Sequence, residues 1–355
     1  MWKLHRYYLK ELSINAAITF LVMFAVVLVS LIARGIQRSQ GGVLLDAAKI
    51  TLFFALDSFP HLWTIALLMA TVLTFARAAQ DRELIAIRAA GISPRVPMTS
   101  ALLAGVLLSA FGSVALHYVI PDVHFHKYRV IADVVRNAFV NLKLGTDRIK
   151  ILETGFVMTF RKKEGSDYFD CTIYCPPERV IEGMRSPIIR VDRVSIPIPD
   201  EGSEDILILP QGLHDPIGAH YLQELPIEIP LHDIADRDRR ADRDDDLRSD
   251  QLLAEVMRGV HQRPHEAIYT LLRRCCFSLM PALLAPIGFC IAEFSRERGR
   301  VMALVLALVP LACFYLGEVL GARFLLATGS PWCAWMPAAL LLAFGVPLCW
   351  RQLRR

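Results

Sequence analysis

Long apolar runs dominate the pattern of the chain. About twenty apolar residues in a helix cover the roughly 30 Å of hydrocarbon in a bilayer, because each residue adds about 1.5 Å. Six runs approach this length, and Asp57 and Pro60 interrupt the second of them. The pattern therefore predicts six transmembrane helices over residues 12–33, 50–76, 97–120, 276–294, 301–326 and 335–350.

The region between the third and fourth spans, residues 121–265, has a different pattern. Residues 156–160 and 225–231 alternate with the period of two that is typical of strands, and prolines at alternate positions of the second segment suit an edge strand. Residues 205–209 are apolar on both faces, so we expect that strand to be covered on both sides. Charges of both signs over 232–250 predict a solvated loop or the start of a helix. Short strands separated by Pro and Gly favour a sandwich or jelly roll.

The composition agrees with a membrane protein. The chain is 54% hydrophobic, and its net charge of +4 is too small to indicate a nucleic-acid partner. The first apolar run is longer than the core of a signal peptide and lacks a clear small-residue cleavage site. We therefore expect it to remain as the first transmembrane span.

The positions of lysine and arginine predict the orientation. Thirteen of these residues flank the spans on the side of the N-terminus, whereas four flank the opposite side: Arg34, Arg38, Lys49 and Arg323. Basic residues near span ends favour the cytoplasm. Both termini are therefore predicted to be cytoplasmic, which puts the strand-rich region outside the cytoplasm.

Two groups of residues could bind a metal, although the spacing is weak in both. Among eight cysteines, Cys171 and Cys175 fall in the strand-rich region, where they are either ordinary strand residues or a disulfide or half of a metal site. A second group follows the third span: His117, Asp122, His124 and His126. Neither group has the spacing of a metal motif, so we expect no metal and no cofactor.

The segment 79–93, between spans two and three, has the pattern of a short amphipathic helix. Gln80 or Asp81 can start it, and Gly91 is placed to end it. Leu84, Ile87 and Ala90 recur at helical spacing. Such a helix either lies among lipid headgroups or is presented to an ATPase as a coupling helix.

The same segment resembles the lipopolysaccharide export permease family of the LptF/LptG type. The resemblance rests on the run from Asp81 to Ser93, and other pieces follow in the family's order: Pro60, Pro121, Arg273–Arg274, Arg296–Arg300 and Ala334–Pro337. It implies a membrane α-helical fold of six helices, three and three, around an inserted periplasmic all-β domain like a jelly roll. The implied divisions are 1–120, 121–265 and 266–355.

The resemblance also implies partners and roles. The chain would be a permease subunit in the inner membrane that works with a sister permease, a cytoplasmic ATPase dimer and periplasmic jelly-roll bridge proteins to export lipopolysaccharide. Glu83 matches the acidic position that meets the ATPase. The coupling residues implied by the resemblance are Asp81, Arg82, Glu83, Leu84, Ile87, Arg88 and Gly91. The chain lacks a G-x-x-x-x-G-K-[ST] loop, so it is not expected to be an ATPase itself.

Four further residues are candidates for contact with the lipid or for a role within the membrane. Arg34 and Arg38 either extend from the end of span one toward the interface or bind headgroup phosphates. Asp57 and Glu318 are acids in or near spans, where charge is costly. Asp57 suits a vestibule or a structural role. Glu318 lies between Gly317 and Gly321, whose spacing favours close helix packing, and it is expected to pair with Arg323 or else to relay protons.

Two other functions fit the sequence. One is a permease for another lipid or for a lipoprotein, which substrate-stimulated ATP hydrolysis would distinguish. The other is a non-transporting membrane enzyme or scaffold with an external sensor domain, which would have no ATPase partner.

Overall fold

The computed structural model of the chain describes residues 2–38, 44–93, 95–140, 148–150, 157–164, 167–174, 188–195, 206–214, 227–229 and 243–353. Among these, six helical segments are long and apolar enough to cross a membrane, as predicted. The helices are α1 (Trp2–Arg38), α2 (Leu44–Gln80), α3 (Glu83–Ala89), α4 (Arg95–Val114), α5 (Ile120–Val140), α6 (Arg243–Asp246), α7 (Ser249–Met257), α8 (Pro264–Phe294), α9 (Arg300–Thr328) and α10 (Met336–Leu353).

The residues divide into two compact units. One consists of Met1–Val27, Leu56–Asp122 and Asp244–Arg355, and the other of Leu28–Ala55 and Val123–Arg243. The first unit holds most of the long helices, and the second holds the sheet together with the end of α1, the start of α2 and most of α5.

Helix α2 is continuous through Pro60, so the predicted interruption of the second span is wrong. Proline removes the N–H that would bond to the carbonyl four residues earlier, here that of Leu56. Membrane helices tolerate this because neighbouring groups satisfy the backbone locally. One turn later, the Thr64 hydroxyl donates to the carbonyl of Pro60 itself at 3.0 Å, rather than to the freed carbonyl of Leu56.

The third apolar helix does not end near residue 120. A π-helical turn over Ala115–Val119 joins α4 directly to α5, which continues to Val140. Pro121 cannot donate to the carbonyl of His117, and the wider turn lies where this bond is missing. The residues after the predicted span therefore begin as helix rather than as strand.

Helix α8 lies at the centre of the first unit because small residues let other helices approach it. A Cβ added at Gly105 of α4 would lie 2.6 Å from the carbonyl oxygen of Pro281, so the two backbones are in contact. A Cβ added at Gly345 of α10 would lie 2.5 Å from the Ile287 side chain of α8, so this glycine leaves room for that side chain. On another side, the Phe289 ring meets Phe75 of α2 edge to face, with centroids 4.8 Å apart.

The glycines of α9 confirm the close packing expected from their spacing. A Cβ at Gly317 would lie 2.5 Å from the Cα of Pro337, and one at Gly321 would lie 2.6 Å from the carbonyl oxygen of Cys333. Cys333 belongs to a 3₁₀ helix over Pro331–Trp335 that leads into α10. Helices α9 and α10 thus approach each other through small residues. Such residues are common at helix contacts in membranes, because the hydrophobic effect does not drive helices together in lipid.

The seven described strands of the second unit form an antiparallel sheet. They are β1 (Arg148–Lys150), β2 (Val157–Thr159), β3 (Lys162–Glu164), β4 (Asp167–Tyr174), β5 (Ile188–Ser195), β6 (Ile206–His214) and β7 (Ile227–Ile229). Their order is β1-β2-β4-β5-β6-β7, and β3 also pairs with β4. Among the described strands, the proline-flanked β7 is at the end of this order, as expected for an edge strand.

The sheet departs from regular strand geometry along one row that crosses three strands. Asp170 in β4 has φ +53° and Gly212 in β6 has φ +70°, and the strand register places Asp192 of β5 between them. A Cβ at Gly212 would lie 2.4 Å from a carboxylate oxygen of Asp192, so only glycine fits there. Such irregularities bend strands and increase their twist.

One face of β4 and β5 is buried and apolar. It includes Met158 of β2 and, from the two central strands, Tyr168, Cys171, Ile173, Ile189, Val191 and Val194. Burial raises the pKa of the Cys171 thiol to about 12, with a further contribution from nearby Asp170. Cys171 is a free, protonated strand residue, whereas Cys175 lies outside the described residues.

The expectation that β6 is covered on both faces is wrong at Leu209. This side chain is 38% exposed, so at least one position of the strand is open to its surroundings. The side chains of residues 206–208 lie outside the described part of the chain.

The end of the charged run forms a helix, one of the two structures expected for it, but part of it is buried rather than solvated. Residues 243–246 form α6, and Asp246 is fully buried. The buried guanidinium of Arg274 in α8 donates to the carbonyls of Asp244 and Asp245, both at 3.0 Å, and to the carbonyl of Leu247 at 2.8 Å. This arginine therefore binds the segment that follows the sheet to helix α8.

Two glycine variants of α4 test the contact with α8. We expect Gly105→Ala to destabilise the protein by about 1–3 kcal/mol, because the new methyl group meets the Pro281 backbone and cannot be accommodated by a side-chain movement. Thermal unfolding of the purified protein in detergent measures the change.

The matched control is Gly112→Ala in the same helix, where the new Cβ would lie 3.4 Å from the Trp63 side chain. Both variants gain about 1 kcal/mol of helix propensity, so only the contact differs. Equal melting temperatures for the two variants would contradict the packing described.

Candidate functional site

The segment that contains α3 lies where several helix ends of the first unit meet. The Tyr8 hydroxyl near the start of α1 donates to Glu83 at 3.3 Å, and His5 bonds to Ser100 of α4 at 2.8 Å. The end of α8 and the start of α9 also contact this segment. The structure thus brings the predicted coupling segment together with the N-terminus and with the turn between α8 and α9.

Helix α3 begins at Glu83, so the prediction that Gln80 or Asp81 starts it is wrong. Gln80 is the last residue of α2, and the chain turns through Arg82, whose φ of +61° is left-handed. The predicted end is confirmed. Gly91 has φ +77° and donates its N–H to the Arg88 carbonyl at 2.9 Å.

The next residue completes the cap of α3. The N–H of Ile92 donates to the carbonyl of Ile87 at 3.1 Å, and these two bonds together form a Schellman motif. A seven-residue helix has little stability by itself, so this cap and the contacts of its inner face hold it in place.

The two faces of α3 differ clearly. Leu84 is buried and Ile87 packs against the main core, as their spacing predicts, but Ala90 is exposed. Ile85, Ala86 and Ala89 form a small exposed apolar surface on the other side. The helix therefore presents a face that no described residue covers.

The acidic residue Glu83 belongs to a cluster of charges on the inner side of α3. Arg77 of α2 lies 3.6 Å from Glu83, 3.7 Å from Asp81 and 2.7 Å from Glu11 of α1. The Glu83 side chain retains 31% exposure, so its carboxylate is positioned by the cluster and still reaches the surface.

Two other ion contacts connect the segment to the second half of the chain. Arg88 pairs with Glu293 in the last turn of α8. Arg300, the first residue of α9, donates to Gln80 at 2.6 Å and lies 3.9 Å from Asp81. Sequence reasoning missed Glu293, although an acid at the C-terminal end of a predicted span is unusual, since the helix dipole favours cations there.

The predicted headgroup residues belong to the second unit. Arg34 is exposed on α1, and the guanidinium of Arg38 lies over the Phe54 ring at 4.9 Å. The ammonium of the buried Lys127 lies 5.5 Å from the same ring and 4.9 Å from that of Tyr128. Lys127 was not predicted, because only the folded chain brings α5 next to Phe54.

The intramembrane acid Glu318 does not have the partner that its sequence neighbours indicated. It accepts a 2.6 Å bond from Arg273 of α8, so the expected pair with Arg323 is wrong. Residue 323 is a closer neighbour in sequence, but a helix places residues five apart on different faces. Asp57 is half-buried on α2 and lies within electrostatic range of His61.

The residues proposed as metal ligands make other contacts. His117 bonds to Ser249 at 2.6 Å, and Asp122 pairs with Arg248 through bonds of 2.5–3.2 Å. Within the part of the chain that the structure describes, no three His, Cys, Asp or Glu side chains converge on a possible ion.

A comparison with protein families matches residues 6–176 to the family described as lipopolysaccharide export system permease LptF/LptG. This match over the first half of the chain supports the LptF/LptG permease family. The matched range extends from the start of α1 to just beyond β4, and it contains the whole α3 segment. No curated protein matches the chain by sequence.

The match to the LptF/LptG family and the six apolar helices among the described residues support a multi-pass membrane protein, and the family implies a permease for lipopolysaccharide export. Members of this family are transporter permease subunits and not enzymes, and they work with other components.

A comparison of two arginines tests the ion pair of Glu318. Arg273→Gln should leave the carboxylate without its 2.6 Å partner and lower stability by about 1–3 kcal/mol, less than the loss expected for a fully buried pair. Arg323→Gln should have little effect. Thermal unfolding of both variants in the same detergent checks this, and a larger loss for Arg323→Gln would contradict the assignment.

Proposed function

We propose that the chain is the permease subunit of an ABC transporter that extracts lipopolysaccharide from the inner membrane and passes it to a periplasmic bridge toward the outer membrane. The observation that carries the proposal is the α3 segment. It lies at a junction of helix ends inside the family match, and it combines an exposed apolar face with a positioned acid, Glu83.

In this proposal, the α3 end of the helices is cytoplasmic. The distribution of lysine and arginine supports this orientation, because the basic residues that flank the spans are concentrated on the side of the N-terminus. Residues 1–120 and 266–355 then form the two membrane halves, and residues 121–265 form the periplasmic domain.

The energy would come from a cytoplasmic ATPase dimer. Ile85, Ala86 and Ala89 would enter a groove of the ATPase, while the carboxylate of Glu83 meets a basic residue at the edge of that groove. Leu84, Ile87, Arg88 and Gly91 would hold the helix, and the turn at Asp81 and Arg82 would orient it. A helix laid into a groove through one apolar face is a common mode of recognition.

The lipid would be held in a cavity formed with the sister permease. Arg34 and Arg38 would bind the phosphates of the head group, and Lys127 extends this basic surface in the same unit. The ring of Phe54 supports both Arg38 and Lys127, because a cation over an aromatic face is stabilised. Asp57 would line the vestibule, and Glu318 would hold helices α8 and α9 together through Arg273.

The β region would receive the lipid. Its antiparallel sheet has irregular backbone conformations along the row of Asp170, Asp192 and Gly212, and such irregularities favour strand bending. Such curvature suits a jelly-roll-like domain that continues into jelly-roll bridge proteins by adding strands at an edge. The sister permease would form the other half of the path that the lipid follows.

Loss of the Glu83 carboxylate should weaken ATPase binding. We expect Glu83→Ala to insert into the membrane at normal levels and to bind the ATPase about ten- to a hundredfold more weakly, since a bond to a charged group contributes about 1.5–3 kcal/mol. Co-purification of the ATPase in mild detergent is the measurement.

The control for this variant is Glu297→Ala, which removes an acid that is 88% exposed in the turn between α8 and α9. It should retain the ATPase at the wild-type yield. The proposed role of Glu83 fails if both variants recover the same amount of ATPase.

The headgroup residues can be tested by a double substitution. Arg34→Ala with Arg38→Ala should reduce lipopolysaccharide release from proteoliposomes by about tenfold or more, because two cations that can bind phosphate are removed. The double lysine variant retains the charge and should restore part of the activity. Normal release by the double alanine variant would show that these arginines only anchor α1 at the interface.

A further inference from the structure

We infer that Glu293 and Arg300 transmit the movement of the α3 segment to the second half of the membrane domain, through their ionic contacts with Arg88, Gln80 and Asp81. The inference rests on the proposed function, because it requires that an ATPase moves α3. It assigns Glu293 and Arg300 as positioning residues, and it adds transmission to the roles of Arg88, which holds α3, and Asp81, which orients it.

Glu293 carries the first part of the argument because its charge is unfavourable in its own helix. It lies in the last turn of α8, where the negative end of the helix dipole repels a carboxylate. Its side chain is only 10% exposed. A charge in such a place requires a close partner of opposite sign, and that partner is Arg88 of α3.

Arg300 shows the same anomaly with the opposite sign. It is the first residue of α9, where the positive end of the dipole disfavours a cation. Its side chain turns back to Gln80, at 2.6 Å, and to Asp81, at 3.9 Å. Two charges that are unfavourable in their own helices are thus each compensated by the segment that contains α3.

The position of α8 explains what these contacts can move. Helix α8 touches α4 backbone to backbone at Gly105 and meets α10 at Gly345. Close packing of this kind transmits displacement, because the interior has little free space into which it could be absorbed. A force on Arg88 therefore reaches the helix around which this unit is packed.

The contacts within the first half of the chain reach α8 only indirectly. Glu83 is bonded to Tyr8 and Arg77, which belong to α1 and α2. A pull on α3 through these contacts acts on the first two spans and reaches α8 only through the packing between helices. The pairs with Glu293 and Arg300 join the same segment directly to α8 and α9.

The experiment compares variants of the whole transporter, with the ATPase bound, in proteoliposomes that contain lipopolysaccharide. The variants are Glu293→Gln, Arg300→Gln and the charge reversal Arg88→Glu with Glu293→Arg. Glu297→Gln removes an exposed charge of the same turn and is the matched control. Three quantities are measured: ATPase recovered with the permease, ATP hydrolysed, and lipopolysaccharide released per ATP.

We expect Glu293→Gln to retain the ATPase while lipid released per ATP falls by at least about fivefold, the lower range of measured coupling between sites. The charge reversal should recover part of this ratio, because it restores the pair with exchanged signs. Arg300→Gln should lower the same ratio, and because that side chain is 46% exposed, it tests the inference even if Glu293→Gln does not fold.

An unchanged ratio in both Glu293→Gln and Arg300→Gln would overturn the inference. So would a charge reversal that releases no more lipid per ATP than Glu293→Gln, since a purely structural contact would lower stability without lowering this ratio. If the wild-type permease recovers no ATPase at all, the proposed function fails instead, and the two results are therefore distinguishable.

Discussion

The structure depends on one constraint: polar groups inside an apolar layer must be satisfied by the protein itself. Arg274 shows how this is done, because its buried guanidinium donates to three backbone carbonyls and to the hydroxyl of Ser249. The bond of 2.7 Å between Asn15 and Thr74 and the pair of Glu318 with Arg273 follow the same rule. Each such contact joins two helices that the apolar surfaces alone would leave free to slide.

The same constraint explains why charge is concentrated at one end of the first unit. Outside the apolar layer, ion pairs form without the full cost of burial, and Arg77, Arg88 and Arg300 each connect a different helix end to the α3 segment. The segment is therefore held by both halves of the chain while one of its faces stays open. This arrangement supports the proposed coupling role, which needs a segment held firmly by the membrane helices and accessible on one face.

Much of the fold could be predicted because the relevant signals are local. Twenty apolar residues indicate a membrane helix wherever they occur, and Gly91 ends α3 by its own backbone freedom. The predictions that failed depended on distant groups. Pro60 was expected to interrupt α2, because the packing that lets the helix continue through this proline is not visible in the sequence. Glu318 was expected to pair with its sequence neighbour Arg323, because the sequence does not show that another helix supplies Arg273.

The sequence by itself determined the class of the protein, the number of its apolar helices, the position of the strand-rich insertion and the segment that carries the family resemblance. These features depend on hydrophobicity and on short motifs, which act within about twenty residues. Only the tertiary structure decided which charges meet: Glu293 with Arg88, Arg300 with Gln80, and Lys127 with the ring that supports Arg38. The reason is physical, because an ionic contact depends on distance in space, and helices packed side by side bring together residues more than two hundred positions apart.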